Sequence, residues 1–341
     1  VGFVSNNSTV ENCYNTASVS GSRNSVGGVV GSANINNIIK NCYNTGSVSG
    51  SEFAGGVVGY AFISSTVINC YNTGSVSGDE GTGGVVGRAN SATVINCYNT
   101  SLVSGDERTG GVVGETYNNS SDRGCTITNC YNTGSVSGSR GQVGGVVGRT
   151  DSIPGGYSST IENCFNTGSV SGSDSYVGGV VGWAISSTVT NCYNIGSVES
   201  LASVGGVVGF VTSVTVTNCG FEGVINGSSS VGAIVGDIYH ASATISNCYA
   251  VAESDSEIQL VGSNSGNGTI ENIVGIITSG GTSKKVYTGS DFSGFAWLNF
   301  DSSPVPKGLS WAGQFQEPPA EYAGNSNWIL TKMQNEGWSA I

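Results

Sequence analysis

Apolar residues recur along the chain in a fixed order. A Val or Ile stands at Val10, Ile39, Val67, Val94, Ile127, Ile161, Val189, Val216 and Ile245. Each is followed by one variable residue (Glu162, Lys40 or Thr190, for example) and then by Asn-Cys. A constant β-branched position beside a variable one reads as a half-buried strand. Seven residues after the Asn comes a second constant apolar position: Val19, Val48, Val76, Val103, Val136, Val170, Val198 and Ile225. The phrase Gly83-Gly84-Val85-Val86-Gly87 and its copies supply a third segment. The Asn-Cys pairs begin at Asn12, Asn41, Asn69, Asn96, Asn129, Asn163, Asn191, Asn218 and Asn247, 27 to 34 residues apart. A period of this size predicts a solenoid, whose units bury too little alone and must stack. The expectation is an all-β, triangular parallel β-helix with three short strands and about 28 residues per turn.

The glycines bracket the strands and are expected at corners, for positive φ or close backbone approach. The Asn of each pair is expected at another corner, where stacked amides form a ladder. Strict alternation would put Cys192 on the opposite side from Val189 and Tyr193. A corner at Asn191 resets the phase, so that the Cys turns inward, as Cys usually does, and the Tyr outward. Tyr14, Tyr43, Tyr71, Tyr98, Tyr131, Phe165 and Tyr193 then form an exposed or half-exposed stripe, interrupted at Gly220 and resumed at Tyr249. These rings either pack on one another or present a ligand surface.

Nine of the ten cysteines hold the same repeat position. No C-x-x-C pair suggests zinc. A buried column of free thiols is the preferred reading, although rung spacing is compatible with vertical disulfides. Cys125 lies outside the column and is a candidate to pair with Cys130.

Two successive turns are longer, through insertions at Glu115 to Cys125 and Arg149 to Ser159. They should meet as one protrusion carrying Tyr117, Arg123, Asp151 and Tyr157, and insertions in solenoids often gather on the binding face. The repeat is regular to about residue 250 and degraded to 282. Residues 283–341 hold Trp297, Trp311, Trp328 and Trp338 and are expected to cap the solenoid or dock a partner. Val1-Gly2-Phe3-Val4 aligns with Val208-Gly209-Phe210-Val211, so the first rung is expected to lie open to upstream turns or to head-to-tail self-association.

The Asn-Cys-Tyr-Asn-Thr-Gly-Ser-Val-Ser-Gly stretches and phrases such as Val143-Gly144-Gly145-Val146-Val147-Gly148 resemble the GLUG-motif repeats of bacterial surface proteins. The likeness spans roughly residues 1–250 and departs most at Gly232-Ala233-Ile234-Val235-Gly236. Relatives of that kind include adhesin-like proteins and the non-catalytic region of IgA-specific metallopeptidases. The resemblance implies a surface location and a structural or adhesive role, with no catalytic residue carried over.

Charge agrees with this expectation. The net charge is −12 and only 10% of residues are charged. No basic stripe exists for nucleic acid, and no apolar run reaches a membrane span. With His240 the only histidine, no Ser-His-Asp set can be assembled. Asp79-Glu80 and Asp106-Glu107 occupy equivalent places in adjacent turns and are candidates for calcium or glycoside chemistry; Arg108 beside them favours a solvated corner. Thr126/Thr128, Thr188/Thr190 and Thr215/Thr217 resemble an ice-binding array, but Glu11, Lys40 and Glu162 break it and strand propensity accounts for the Thr. The expected function is a non-catalytic extracellular stalk or adhesin segment without cofactor, the alternative being a subunit of an extracellular filament that assembles through the open solenoid end. Its ligand would be a glycan or a surface protein, met by the Tyr stripe or by Tyr117, Arg123 and Tyr157.

Overall fold

The computed structural model describes residues 1–22, 24–118, 123–152, 156–252, 259–279, 282–288, 297–300 and 303–306. Within these the chain is a succession of short strands wound into a parallel β-solenoid, with three sheets running its length. The first sheet holds the Val-Gly strands, from Phe3–Ser5 through Val30–Asn34, Val58–Phe62 and Val86–Asn90 to Val261–Ser263, ten in all and parallel throughout. The second holds the Thr-Val-Ile and Tyr-Asn strands, such as Thr93–Ile95 and Tyr98–Asn99. The third holds the Val-Ser-Gly strands, such as Val103–Gly110. Register is strict: Val58 pairs with Val86, Tyr71 with Tyr98, and Val76 with Val103. The parallel stack ends where Thr269–Ser279 pairs antiparallel with Thr282–Thr288. Most of the predicted terminal element at 283–341 lies outside the described residues, including Trp311, Trp328 and Trp338.

The core is a set of identical columns. Ile39, Val67, Val94 and Ile127 have no solvent exposure, nor have Val57, Val58, Val85 and Val86. The Asn of each Asn-Cys pair sits in the left-handed region at φ 51–54°, which Asn tolerates better than most residues. This corner is the phase reset that turns Cys42, Cys70 and their copies inward. Its amides form the expected ladder: Asn41 donates to Asn12 at 3.3 Å, Asn69 to Asn41 at 3.2 Å and Asn96 to Asn69 at 3.1 Å, continuing to Asn218.

Of the two roles expected of the glycines, close backbone approach is the one they mainly serve. Positive φ at the corners is carried mainly by other residues, such as Ser25, Phe53, Arg108, Gln142 and Tyr176 in one column. The repeat glycines instead provide close approach. A Cβ on Gly59 would lie 2.6 Å from the Gly31 carbonyl oxygen in the rung below.

All ten cysteines are free. Cys125 does not pair with Cys130: its thiol points at the carbonyl oxygens of Ala89 at 3.3 Å and Tyr117 at 3.6 Å. The strand of Thr126–Thr128 between them holds the two thiols in separate columns. In the main column each Sγ–H donates to a carbonyl two residues back, as from Cys97 to Ile95 at 3.2 Å. Burial pushes the thiols of Cys97, Cys164, Cys192 and Cys248 up, and that of Cys125 from 9.0 to about 11. A raised pKa means that the unfolded chain loses its proton first. For Cys125 the stabilisation is therefore complete below the ordinary thiol range and is lost as pH rises above it, levelling beyond about 11. In thiol titration of the native protein we expect only the half-buried Cys13 to react quickly, and all ten in denaturant. Rapid native reaction of several thiols would contradict a closed core.

Candidate functional site

The Tyr stripe is a stacked column. Tyr14 and Tyr43 lie 5.2 Å apart between ring centroids at 8°, Tyr71 and Tyr98 4.9 Å at 3°, and Tyr131 and Phe165 4.9 Å at 6°. In-register parallel pairing repeats each ring at the rung spacing, and ring-on-ring contact follows. Only Tyr14 is exposed, at 64%; Tyr43, Tyr71 and Tyr98 are half-buried. Tyr131, Phe165 and Tyr193 are 1% exposed, which corrects the expected stripe over its second half. At the gap, a Cβ on Gly220 would stand 2.7 Å from Tyr193, because the Tyr193 and Tyr249 rings lean together over the missing side chain.

The Asn that follows each Tyr turns back into the core and forms a second ladder, which the sequence reading missed. Asn44 donates to Asn72 at 2.8 Å, Asn72 to Asn99, Asn99 to Asn132 and Asn132 to Asn166, all at 2.8 Å. Each also donates to a carbonyl two residues on, as from Asn132 to Gly134 at 2.6 Å. Its direction is opposite to that of the outer ladder. It ends at Asn194, which donates to Gly206 instead, since its register partner is Phe221.

The twin insertions do meet at their roots. Asn118 donates to the Tyr157 carbonyl at 2.8 Å and to Ser159 at 3.0 Å. Arg123 reaches back to Thr93 Oγ1 at 2.7 Å, and Tyr157 is exposed. Residues 119–122 and 153–155 of the insertions lie outside the described residues.

The acidic pairs are not brought together as cation ligands. Glu80 is the register partner of Glu107, but Arg108 forms an ion pair with Glu80. Asp79 and Asp106 edge a shallow Ser- and Gly-lined trough, where Asp106 accepts from Ser139 and lies 3.9 Å from Arg140. Among the described residues no group of three His, Cys, Asp or Glu side chains is placed to hold a metal. The cation that meets Glu80 in the structure is the Arg108 guanidinium.

The densest chemistry lies on an outward column that the sequence reading did not single out, the position following each Val-Val-Gly phrase. In register it runs Ser32, Tyr60, Arg88, Glu115, Arg149, Trp183, Phe210 and Asp237. The adjoining positive-φ corner adds Phe53, Arg108 and Tyr176. Arg88 lies 4.8 Å over both Phe53 and Tyr117, and 3.3 Å from Glu115. Arg108 also reaches Glu115, at 3.3 Å. Glu115 is only 2% exposed, and burial pushes its carboxyl up against the pull of Arg88, Arg108 and Arg149. Arg149 pairs with Asp151 at 2.6 Å and lies 4.8 Å over the Trp183 ring. Beyond it Tyr176, Trp183 and Phe210 form a mutual aromatic cluster at 4.7 to 5.5 Å. Tyr117, read from sequence as a loop residue, belongs to this column's edge. The signal that could have found the site is variability: at this strand position the repeat changes from Ser to Tyr, Arg, Glu and Trp.

The GLUG motif model matches residues 50–77, 105–137, 139–171 and 173–199. The solenoid therefore carries GLUG-motif repeats, with four of its turns matched. Among solved structures, a Bacteroides ovatus protein described as a putative immunoglobulin A1 protease is similar at 18% identity and a TM-score of 0.45, over 78% of this chain and 86% of that one. A likeness at that level says nothing of activity. No curated protein matches the chain.

Proposed function

We propose that the protein is a non-catalytic extracellular adhesive solenoid, which presents the Tyr60–Phe210 column to a partner on a cell or matrix surface. One observation carries this reading. The fold accepts Ser at this position, as at Ser32, so it does not require the Tyr, Arg and Trp that follow. Elsewhere the outward positions are mostly Ser, Thr, Asn and Gly, in keeping with a repetitive scaffold. Side chains that the fold does not need, concentrated on one line, support recognition rather than stability. The resemblance to bacterial surface repeats supports the location.

The test is the double variant Tyr60→Ser, Trp183→Ser, each change borrowing the residue already present at Ser32. We expect circular dichroism to stay close to the parent and the unfolding midpoint to fall only by the loss of the hydrogen bond that the Tyr60 hydroxyl accepts from Asn90 at 3.0 Å. Binding of the labelled protein to fixed epithelial and bacterial cells should fall by about tenfold or more, as for loss of an aromatic anchor. Parent-like binding would remove the column from the adhesive surface. Absence of binding by the parent itself would remove the adhesive reading.

A further inference from the structure

We infer that the Tyr60–Phe210 column takes an uncharged linear saccharide lying along the solenoid axis, an inference that rests on the adhesive reading above. The charges of the column are internally matched. Arg88, Arg108 and Arg149 face Glu80, Glu115 and Asp151. An anionic polymer would meet occupied guanidinium groups on a chain of net charge −12, and a cationic one would meet carboxylates already paired. What stays accessible, with Arg88 over one face of Phe53 and Arg149 over one face of Trp183, is the half-buried remainder of the Phe53, Tyr60, Phe62, Tyr176 and Trp183 rings beside paired polar groups, which suits the C–H groups and hydroxyls of pyranose rings.

The shape favours a polymer over a folded protein. The surface runs along the solenoid axis and repeats once per rung, its aromatic residues divided into two separate clusters where a protein interface has one broad apolar centre. Its aromatic residues form two platforms. Phe53, Tyr60 and Phe62 cluster at 5.4 to 5.6 Å, and Tyr176, Trp183 and Phe210 form the other. Tyr60 and Trp183 are four rungs apart in register, or about 19 Å at the usual strand spacing. One rung is close to the rise of one pyranose residue in an extended chain. A saccharide of about four or more residues can therefore touch both platforms, whereas a disaccharide can touch only one.

The experiment is calorimetric titration with cello- and manno-oligosaccharides of two to six residues, preceded by affinity electrophoresis in neutral β-glucan, mannan, xylan and galactan and in acidic polygalacturonate. We expect retardation in at least one neutral polymer and not in polygalacturonate. Affinity should rise about tenfold or more as length passes four residues. Tyr60→Ser and Trp183→Ser should each flatten that rise. Preference for the acidic polymer, a flat length dependence, or a rise that survives both substitutions would overturn the inference. So would failure in every polymer while the protein still binds fixed cells and loses that binding after protease treatment; that result would leave the adhesive reading standing with a protein partner. Failure to bind both cells and polymers would overturn both.

Discussion

Asn132→Ala should destabilise the solenoid by about 2–4 kcal/mol, although the side chain touches no candidate ligand surface. The reason is the inner amide ladder. Asn132 receives a hydrogen from Asn99 at 2.8 Å and gives its own to Asn166 at 2.8 Å and to the Gly134 carbonyl at 2.6 Å. The residue has no solvent exposure, so water cannot replace what the substitution removes. The Asn99 donor, the Asn166 acceptor and the Gly134 carbonyl each lose a partner, and a stranded buried polar group costs about 1–3 kcal/mol. Part of that cost relaxes, since Asn99 still reaches the Ser101 carbonyl at 2.7 Å. Asn132→Asp should be worse at neutral pH, because a buried carboxylate only accepts and would face the Asn166 oxygen. Its folded pKa would be raised, so stability should recover as pH falls and the carboxyl becomes a donor. Denaturant unfolding with hydrogen exchange would locate the loss at the rungs of Asn99 and Asn166, since a solenoid opens locally. A cost below about 0.5 kcal/mol for Asn132→Ala would mean that the ladder contributes nothing net.

That ladder also shows where the sequence was legible and where it was not. Period, strand count and the inward Cys follow from constants that recur at every turn, and a repeat displays its constants plainly. The Asn of Asn-Cys was readable as a corner because a phase reset is needed to bury Cys. The Asn of Tyr-Asn is equally constant from Asn15 to Asn194, but a polar residue after a strand reads first as a turn former. Only the three-dimensional path turns it back into the core. The ring column failed in a different way. Stacking at the rung spacing is dictated by register, whereas exposure is not, so nothing in the repeat separates half-buried Tyr98 from buried Tyr131. The Arg–aromatic column was hidden because it falls at a position where the repeat is not constant. Register alone reveals that Tyr60, Arg88, Glu115, Arg149 and Trp183 share one line, and that Tyr117 and Phe53 reach it from neighbouring positions. Equivalent acids in adjacent turns suggested a cation site, and the sequence already held the answer in Arg108, whose left-handed corner turns it onto Glu80 and Glu115.

Gly83→Ala should be at least as damaging, at about 3 kcal/mol or more, and for a reason that no side chain can relieve. The added methyl would run into the Val86 carbonyl oxygen of its own corner and stand 2.6 Å from the Gly114 backbone nitrogen of the next rung. Both obstacles are main-chain atoms fixed by stacking. Overpacking of a core usually costs about 1–3 kcal/mol because neighbouring side chains shift; here whole rungs would have to part. The same contact recurs at Gly55 with the nitrogen of Gly87, at Gly110 with that of Gly148 and at Gly178 with that of Gly209, so the penalty belongs to the repeat and not to one turn. Gly2→Ala is the matched control, because a Cβ there meets nothing within 4 Å. It should be neutral or stabilising by a few tenths of a kcal/mol through the unfolded chain. Parallel denaturant melts of the two variants decide the matter. Near-equal midpoints would mean that the rungs can separate enough to admit a methyl, and that close glycine packing is not what holds the first sheet to its corner.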